Sequence, residues 1–240
     1  MTRPFRILMI FLGFFLLPVP GPGLAKEKPP TLRSLKEAVQ QQPDNARAYY
    51  QLGLKYEELG RDKEALKAYK QAVRLNQDFA EAYVRLGVLK GDMGDREAAI
   101  KDFQRAAQLR PGSAEARAGL SLTYDQQGLE LIRQERWSAA AEAFQDAVRQ
   151  NPQADGSYNN LGVAYFHQNR WSEAISAFQA AVRANPNNAE AQFNLGLLYC
   201  LKNENVRTHA QLEILSKINP DLWAELAYFV YTPRRMKLSD

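Results

Sequence analysis

The chain has 240 residues, with 31 Lys and Arg against 27 Asp and Glu, two His, one Cys and 45% hydrophobic residues. A single cysteine excludes an internal disulfide, two histidines leave little for metal or acid–base chemistry, and a net charge of +4 is too small to mark a binder of polyanions. Stability must come from packed apolar faces.

The first 25 residues stand apart from the rest. Arg3 and Arg6 precede an almost wholly apolar run from Ile7 to Val19, followed by Pro20 to Ala25. Thirteen apolar residues fall short of the roughly 20 that a membrane-spanning helix needs. Pro18, Pro20 and Pro22 would stop a helix, and Gly23 and Ala25 offer small residues for cleavage before Lys26. Residues 1–25 therefore read as a secretory signal peptide, with a short uncleaved anchor as the alternative. Cleavage would remove two arginines and no acid, bringing the net charge to +2, and no basic run with interleaved aromatics follows, so nucleic acid is not an expected partner. No asparagine heads an N-x-S/T acceptor, and the expected compartment is a bacterial periplasm, with an inner-membrane anchor facing the periplasm as the alternative.

Residues 26–45 form a linker and a half-repeat helix, with Leu35 and Ala38 ahead of Pro43. From residue 46 a 34-residue period takes over: Leu52-Gly53, Leu86-Gly87, Leu161-Gly162 and Leu195-Gly196 recur at that spacing or a multiple of it, apart from one seven-residue shift. Repeats are expected at 46–79, 80–113, 114–154, 155–188 and 189–222, followed by a capping helix and basic tail at 222–240. In the clearest unit Tyr158, Leu161 and Tyr165 make one apolar stripe, and Ala174, Phe178 and Ala181 another. Spacings of three and four predict two amphipathic helices with facing stripes. Gly162 and Ala174 lack bulk where the helices approach, and Tyr165 and Phe178 fill the space. Asn169 aligns with Gly60, Gly94 and Asn203, residue types that tolerate the left-handed turn ending a helix. Ser138 and Ser172 are expected to cap the second helices, and Pro111, Pro152, Pro186 and Pro220 to end the units.

The second repeat carries Lys90 where its neighbours have an aromatic residue. The third, at 114–154, is seven residues too long, which is about two helical turns, so a long first helix from about 114 to 134 is expected to project beyond its neighbours. Leu120 and Tyr124 fit one register there; Tyr124 and Gly128 fit another. The fifth repeat substitutes Thr208, Leu212 and Leu215 in its second helix, and a last helix places Leu222, Leu226, Phe229 and Val230 on one side. Terminal repeats need such a cap. Trp223, Tyr228 and Tyr231 could instead form an exposed patch for self-association or a partner. Arg234, Arg235 and Lys237 read as a solvated basic end.

On these residues the chain resembles the tetratricopeptide repeat family, whose W-x2-L-G-x2-Y, A-x3-F and P pattern recurs in it. The resemblance implies an all-α, right-handed α-solenoid of stacked helix-turn-helix repeats with terminal capping helices. It also implies that the fifth and ninth positions of each first helix, and the twelfth and thirteenth, face a concave groove. Those positions hold Tyr50, Val84, Asn159 and Phe193, then Leu54, Val88, Val163 and Leu197, with Phe166, His167, Cys200 and Leu201 extending an apolar strip. Glu57, Glu58 and Asp92 make the first repeats acidic. The alternative is that these side chains pack against neighbouring first helices or the long third-repeat helix.

The function these features point to is a non-catalytic protein–protein interaction scaffold of the cell envelope, holding an apolar or amphipathic segment of a protein or peptide partner. Assembly of a pilus, secretion or outer-membrane complex would suit it. The alternatives are a self-associating structural protein, with homo-oligomers formed through the C-terminal aromatic helix, and a thiol-dependent enzyme using Cys200 with His209. No cofactor, metal ligand set or catalytic motif is read in the sequence.

Overall fold

The computed structural model describes residues 29–232. The signal-peptide reading of residues 1–25 and the basic residues Arg234, Arg235 and Lys237 lie outside the described residues. Among those described the chain forms twelve α-helices and no strand. They are α1 (Leu32–Gln41), α2 (Ala46–Glu58), α3 (Asp62–Leu75), α4 (Ala80–Asp92), α5 (Arg96–Leu109), α6 (Ala114–Arg133), α7 (Trp137–Gln150), α8 (Asp155–His167), α9 (Trp171–Ala184), α10 (Ala189–Leu201), α11 (Asn205–Ile218) and α12 (Pro220–Tyr231). This is an all-α helical repeat of the solenoid class. Two compact units, Met1–Thr123 and Tyr124–Asp240, divide it, and the division falls inside α6. No described helix is long and apolar enough to cross a membrane.

Within a repeat, a glycine on the first helix faces an aromatic ring on the second. A β-carbon at Gly162 would lie 2.5 Å from Phe178 Cε1, one at Gly87 would lie 2.8 Å from Phe103 Cε1, and Gly53 meets Tyr69 in the same way. The rings of Tyr69, Phe103, Phe144 and Phe178 are buried, as are Ala65, Ala99, Ala140 and Ala174. The absence of a side chain on one helix is what lets the ring of the other close-pack. The turn between the helices needs a left-handed residue, supplied by Gly60, Gly94, Asn169 and Asn203 as the alignment implies, and also by Glu135 with φ 56°. A glutamate there is unexpected, because its β-carbon crowds the backbone in that region.

The long helix α6 fits both registers at once. Gly119 takes the ring of Phe103 from the first unit, while a β-carbon at Gly128 would lie 2.7 Å from Phe144 Cε1 in the second. The seven extra residues give α6 one notch for each neighbouring ring. Ser138 and Ser172 do not cap, contrary to expectation. α7 and α9 begin at Trp137 and Trp171, after Arg136 and Arg170 with no side-chain cap bond, so each serine sits one residue inside its helix. Asparagines cap other helices, α2, α10 and α12: Asn45, Asn188 and Asn219 accept from the amides of Ala48, Ala191 and Leu222.

Where the fifth repeat lacks an aromatic residue, the last helix compensates. A β-carbon at Gly196 would meet Leu226 Cδ2 of α12 at 2.6 Å, and Leu226 is fully buried with Leu212, Leu215 and Ala227. Leu222 and Val230 pack on the same cluster. Pro220 does not merely end the repeat; it starts α12 directly after the Asn219 cap, using the fixed φ that suits a first helical position.

Candidate functional site

In the second unit, α8 and α10 are successive first helices, and a hollow of about 170 Å³ opens between them. Val163, Phe166 and His167 line it from α8, Asn194 and Leu197 from α10, and Phe178 reaches in from α9. Three expected groove residues, Val163, Phe166 and Leu197, thus meet in one place. The Trp137 and His167 rings stack at 3.8 Å with planes 7° apart, and Phe166 stands edge-on to Trp171 at 5.0 Å and to His167 at 5.7 Å. Asn194 Nδ2 donates to Asn159 Oδ1 at 2.9 Å, leaving Asn194 Oδ1 to accept from an incoming N–H.

Ligand pockets usually exceed about 300 Å³. A hollow of about 170 Å³ suits a side chain of a longer segment better than a cofactor. Its walls are apolar with one amide and one imidazole, so affinity would come from desolvated apolar area and orientation from the amide.

The other expected groove residues lie elsewhere, and several need correction. Val84 and Val88 are only 3% and 2% exposed, and Asn159 is buried and accepts from the Asn194 amide, so these three offer almost no surface to a partner. Tyr50 packs its ring on Phe79 at 4.9 Å and on Tyr69 at 5.6 Å. Burial pushes its phenol up, partly offset by the Arg85 guanidinium that bonds it. Leu54 lines a separate hollow in the first unit with Leu35, Pro29 and Pro30. Phe193 packs with Leu197 against the α12 cluster, so Leu197 serves the hollow and the cap together. Cys200 is half-buried and is not among the residues lining the hollow.

The acidic gradient along the groove is also revised. Tyr69 donates its hydroxyl to Glu57, and burial, followed by the neighbouring carboxylate, pushes that phenol far up. Burial lowers the Arg85 guanidinium, but Tyr50, Glu57 and Tyr69 together outweigh it and raise the group. Glu58 pairs with Lys55 Nζ at 2.8 Å. Glu57 is therefore engaged inside its repeat, whereas Glu58, 66% exposed, keeps its carboxylate at the surface. His209 is engaged as well, its Nδ1 2.7 Å from the Asn205 carbonyl and its ring edge-on to Tyr231.

Trp137 and Trp171 went unrecognised in the sequence, although the signal was there. Two tryptophans 34 residues apart open the second helices of consecutive repeats, and their rings meet His167 and Phe166, which line the hollow.

Models described as tetratricopeptide repeat match residues 34–67, 80–113, 126–189 and 168–205, and one described as TPR repeat matches 53–94. Together they span 34–113 and 126–205, two thirds of the chain, and leave out the first part of α6. The chain is similar to the crystal structure of YrrB, described as a TPR protein with an unusual peptide-binding site, at 21% identity and TM-score 0.55 over 82% of this chain and 99% of that one. It is also similar to crystal structures of MamA, at 28% identity and TM-score 0.50 over 66% of this chain and 89% or 83% of theirs. No curated protein sequence matches it.

Proposed function

The chain belongs to the tetratricopeptide repeat family, and from that premise we propose that it is a non-catalytic scaffold whose second unit holds an apolar or amphipathic segment of a protein partner. The carrying observation is the hollow, where Val163, Phe166 and Leu197 supply apolar wall and Asn194 an acceptor. The fold supports the broader reading of a protein–protein interaction scaffold. A peptide-binding site is described for YrrB, and the same role is carried here as part of the proposal. The apolar run from Ile7 to Val19 after Arg3 and Arg6 supports an exported chain working in a bacterial envelope, where a pilus, secretion or outer-membrane assembly would offer such segments.

The test is crosslinking and co-purification of the full chain from its own cell, comparing the natural sequence with Val163→Glu. Val163 and Leu197 each also pack on a core cluster, so the helicity and Tm of the variant are measured alongside recovery. Envelope proteins recovered with the natural chain and lost with Val163→Glu, at unchanged helicity, are expected. Equal recovery would remove the hollow from the proposal. The mature N-terminus read in the same experiment tests the compartment, with Lys26 as the expected first residue.

A further inference from the structure

One side of α3 carries a row of cations. Lys63, Lys67, Lys70 and Arg74 are all exposed, and at 100° per residue they fall within about 60° of one another along about 16 Å of helix. Ala65, Ala68, Tyr69 and Ala72 bury the opposite side. The 34-residue period carries the row onto neighbouring second helices. Arg33 and Lys101 hold the Lys67 position on α1 and α5, and Lys36 holds the Lys70 position on α1, all of them exposed. Among the described residues only Arg33 of this set makes an ion pair, with Glu37. Of the acids nearby, Glu64 is taken by Arg61 at 2.8 Å, and Glu97 holds the Lys63 position of α5, so the positive charge is densest on α1 and α3.

The fold does not require this pattern. In the second unit α7 and α9 bury Ala140, Phe144 and Ala147, and Ala174, Phe178 and Ala181, just as α3 buries its own set. Their outer positions are different. The Lys67 position holds Glu142, Ser176 and Ala210 on α7, α9 and α11, and the Lys70 position holds Gln145, Gln179 and Glu213. Only the Arg74 position stays basic there, as Arg149, Arg183 and Lys217. A cationic outer face therefore belongs to the first unit and not to the repeat as such. The small net charge of the whole chain does not oppose this, because a surface field depends on where the charges stand.

We propose that the outer face of α1 and α3 docks on an anionic lipid surface. The composition of the face selects this occupant over a protein. Most of its cations are lysines, and none of the exposed large hydrophobic residues lies on α1, α3 or α5. Protein interfaces are depleted in lysine and are built around desolvated aromatic and arginine anchors. A lysine ammonium is a compact, strongly hydrated charge that needs no fixed partner geometry. Headgroup phosphates spread over a bilayer offer that kind of counter-charge to several lysines at once. Each Lys or Arg held near such a surface strengthens binding about fivefold. With no apolar side chain to insert, the attachment is reversible and screened by salt. It uses no residue of the hollow between α8 and α10, so either can fail without the other.

Co-sedimentation of the purified full chain with vesicles tests it, using phosphatidylcholine alone and phosphatidylcholine with one third phosphatidylglycerol. Partition onto the anionic vesicles is expected to exceed that onto the neutral ones at low salt. In about 1 M salt, where the Debye length is about 3 Å, the two should converge. Binding through the apolar residues 7–19 would appear on both vesicles, so the difference reads charge. Lys36→Gln, Lys63→Gln and Lys67→Gln together should cut the charge-dependent part about a hundredfold, at unchanged circular dichroism because all three side chains are exposed. Arg149→Gln, Arg183→Gln and Lys217→Gln remove the same charge from the second unit and should leave it unchanged. Equal partition onto the two vesicles overturns the proposal, and so does an equal loss in the two triple variants. An anionic preference that survives loss of the three lysines overturns it as well. Tighter binding of polyglutamate or duplex DNA than of anionic vesicles, at the same salt, would overturn the choice of a lipid surface.

Discussion

Lys90 and Asp102 meet across the α4–α5 pair, Nζ to Oδ2 at 2.5 Å with both side chains less than one fifth exposed. Lys90 occupies the position held by Tyr56, Tyr165 and Tyr199 in other first helices. Those tyrosines answer to an arginine over the ring, Arg61 at 5.0 Å, Arg170 at 4.3 Å and Arg207 at 5.4 Å. The second repeat replaces ring and cation by an ion pair. Removing one partner strands the other: Lys90→Met should lower stability by on the order of 3 kcal/mol at pH 7, and Lys90→Met with Asp102→Leu should recover most of it. Burial raises the Asp102 carboxyl despite Lys90. Its contribution is thus full below the unfolded value and lost as pH rises through the folded one, so the deficit of Lys90→Met should shrink toward pH 4. Urea unfolding at two pH values measures both effects.

Asp125 on α6 provides the complementary case. Burial pushes its carboxyl up, only partly offset by the Ser157 hydroxyl, and no cation is among the causes. A raised acid favours folding only in its protonated form, and that benefit disappears as pH rises through the folded value. Asp125→Asn should therefore raise the Tm at pH 7, with the advantage closing as pH falls toward about 4, the unfolded range of an aspartate. Thermal scans across that range would refute this if the gap stayed constant.

Gly162→Ala should cost about 1–3 kcal/mol, because the new methyl must displace the Phe178 ring. Phe178→Leu alone leaves a void and also loses stability. The two changes together should lose less than the sum, since each relieves the other. A double-mutant cycle by chemical denaturation gives the coupling.

Glu135→Gly should stabilise by about 0.5–1 kcal/mol. The left-handed conformation costs a residue with a β-carbon about 1–2 kcal/mol, and glycine returns part of that gain as backbone entropy. Gly60 and Gly94, at φ 70° and 86°, show glycine serving the same turn. An unchanged or lowered midpoint would mean that the glutamate side chain holds the turn by contacts of its own.

The glycine-to-ring notches and the turn residues were legible because small and large residues recur at fixed intervals, as at Gly53 with Tyr69 and Gly162 with Phe178. Glu135 was not, since nothing in its side chain announces a left-handed backbone. The two registers of α6 were both visible at Leu120, Tyr124 and Gly128, but only the folded chain shows each serving a different ring. Groove positions were harder. Val84, Val163 and Leu197 look equivalent along the chain, yet burial depends on what stands opposite, and that is set by other helices. Val84 disappears into the first unit while Val163 keeps an open side. Ser138 and Ser172 misled for a local reason, because each helix starts one residue earlier on a tryptophan.

All three tryptophans of the chain, Trp137, Trp171 and Trp223, fall in the second unit, and two of them touch the rim of the hollow through His167 and Phe166. Nature has in effect placed an optical gauge in one of the two units. Emission excited at tryptophan wavelengths should follow occupancy of the hollow without any added dye, and should be blind to melting of residues 29–123. Circular dichroism, by contrast, weighs every helix. Superimposed curves from the two signals would mean that the whole chain melts as one cooperative body, whereas displaced curves would resolve two separate transitions.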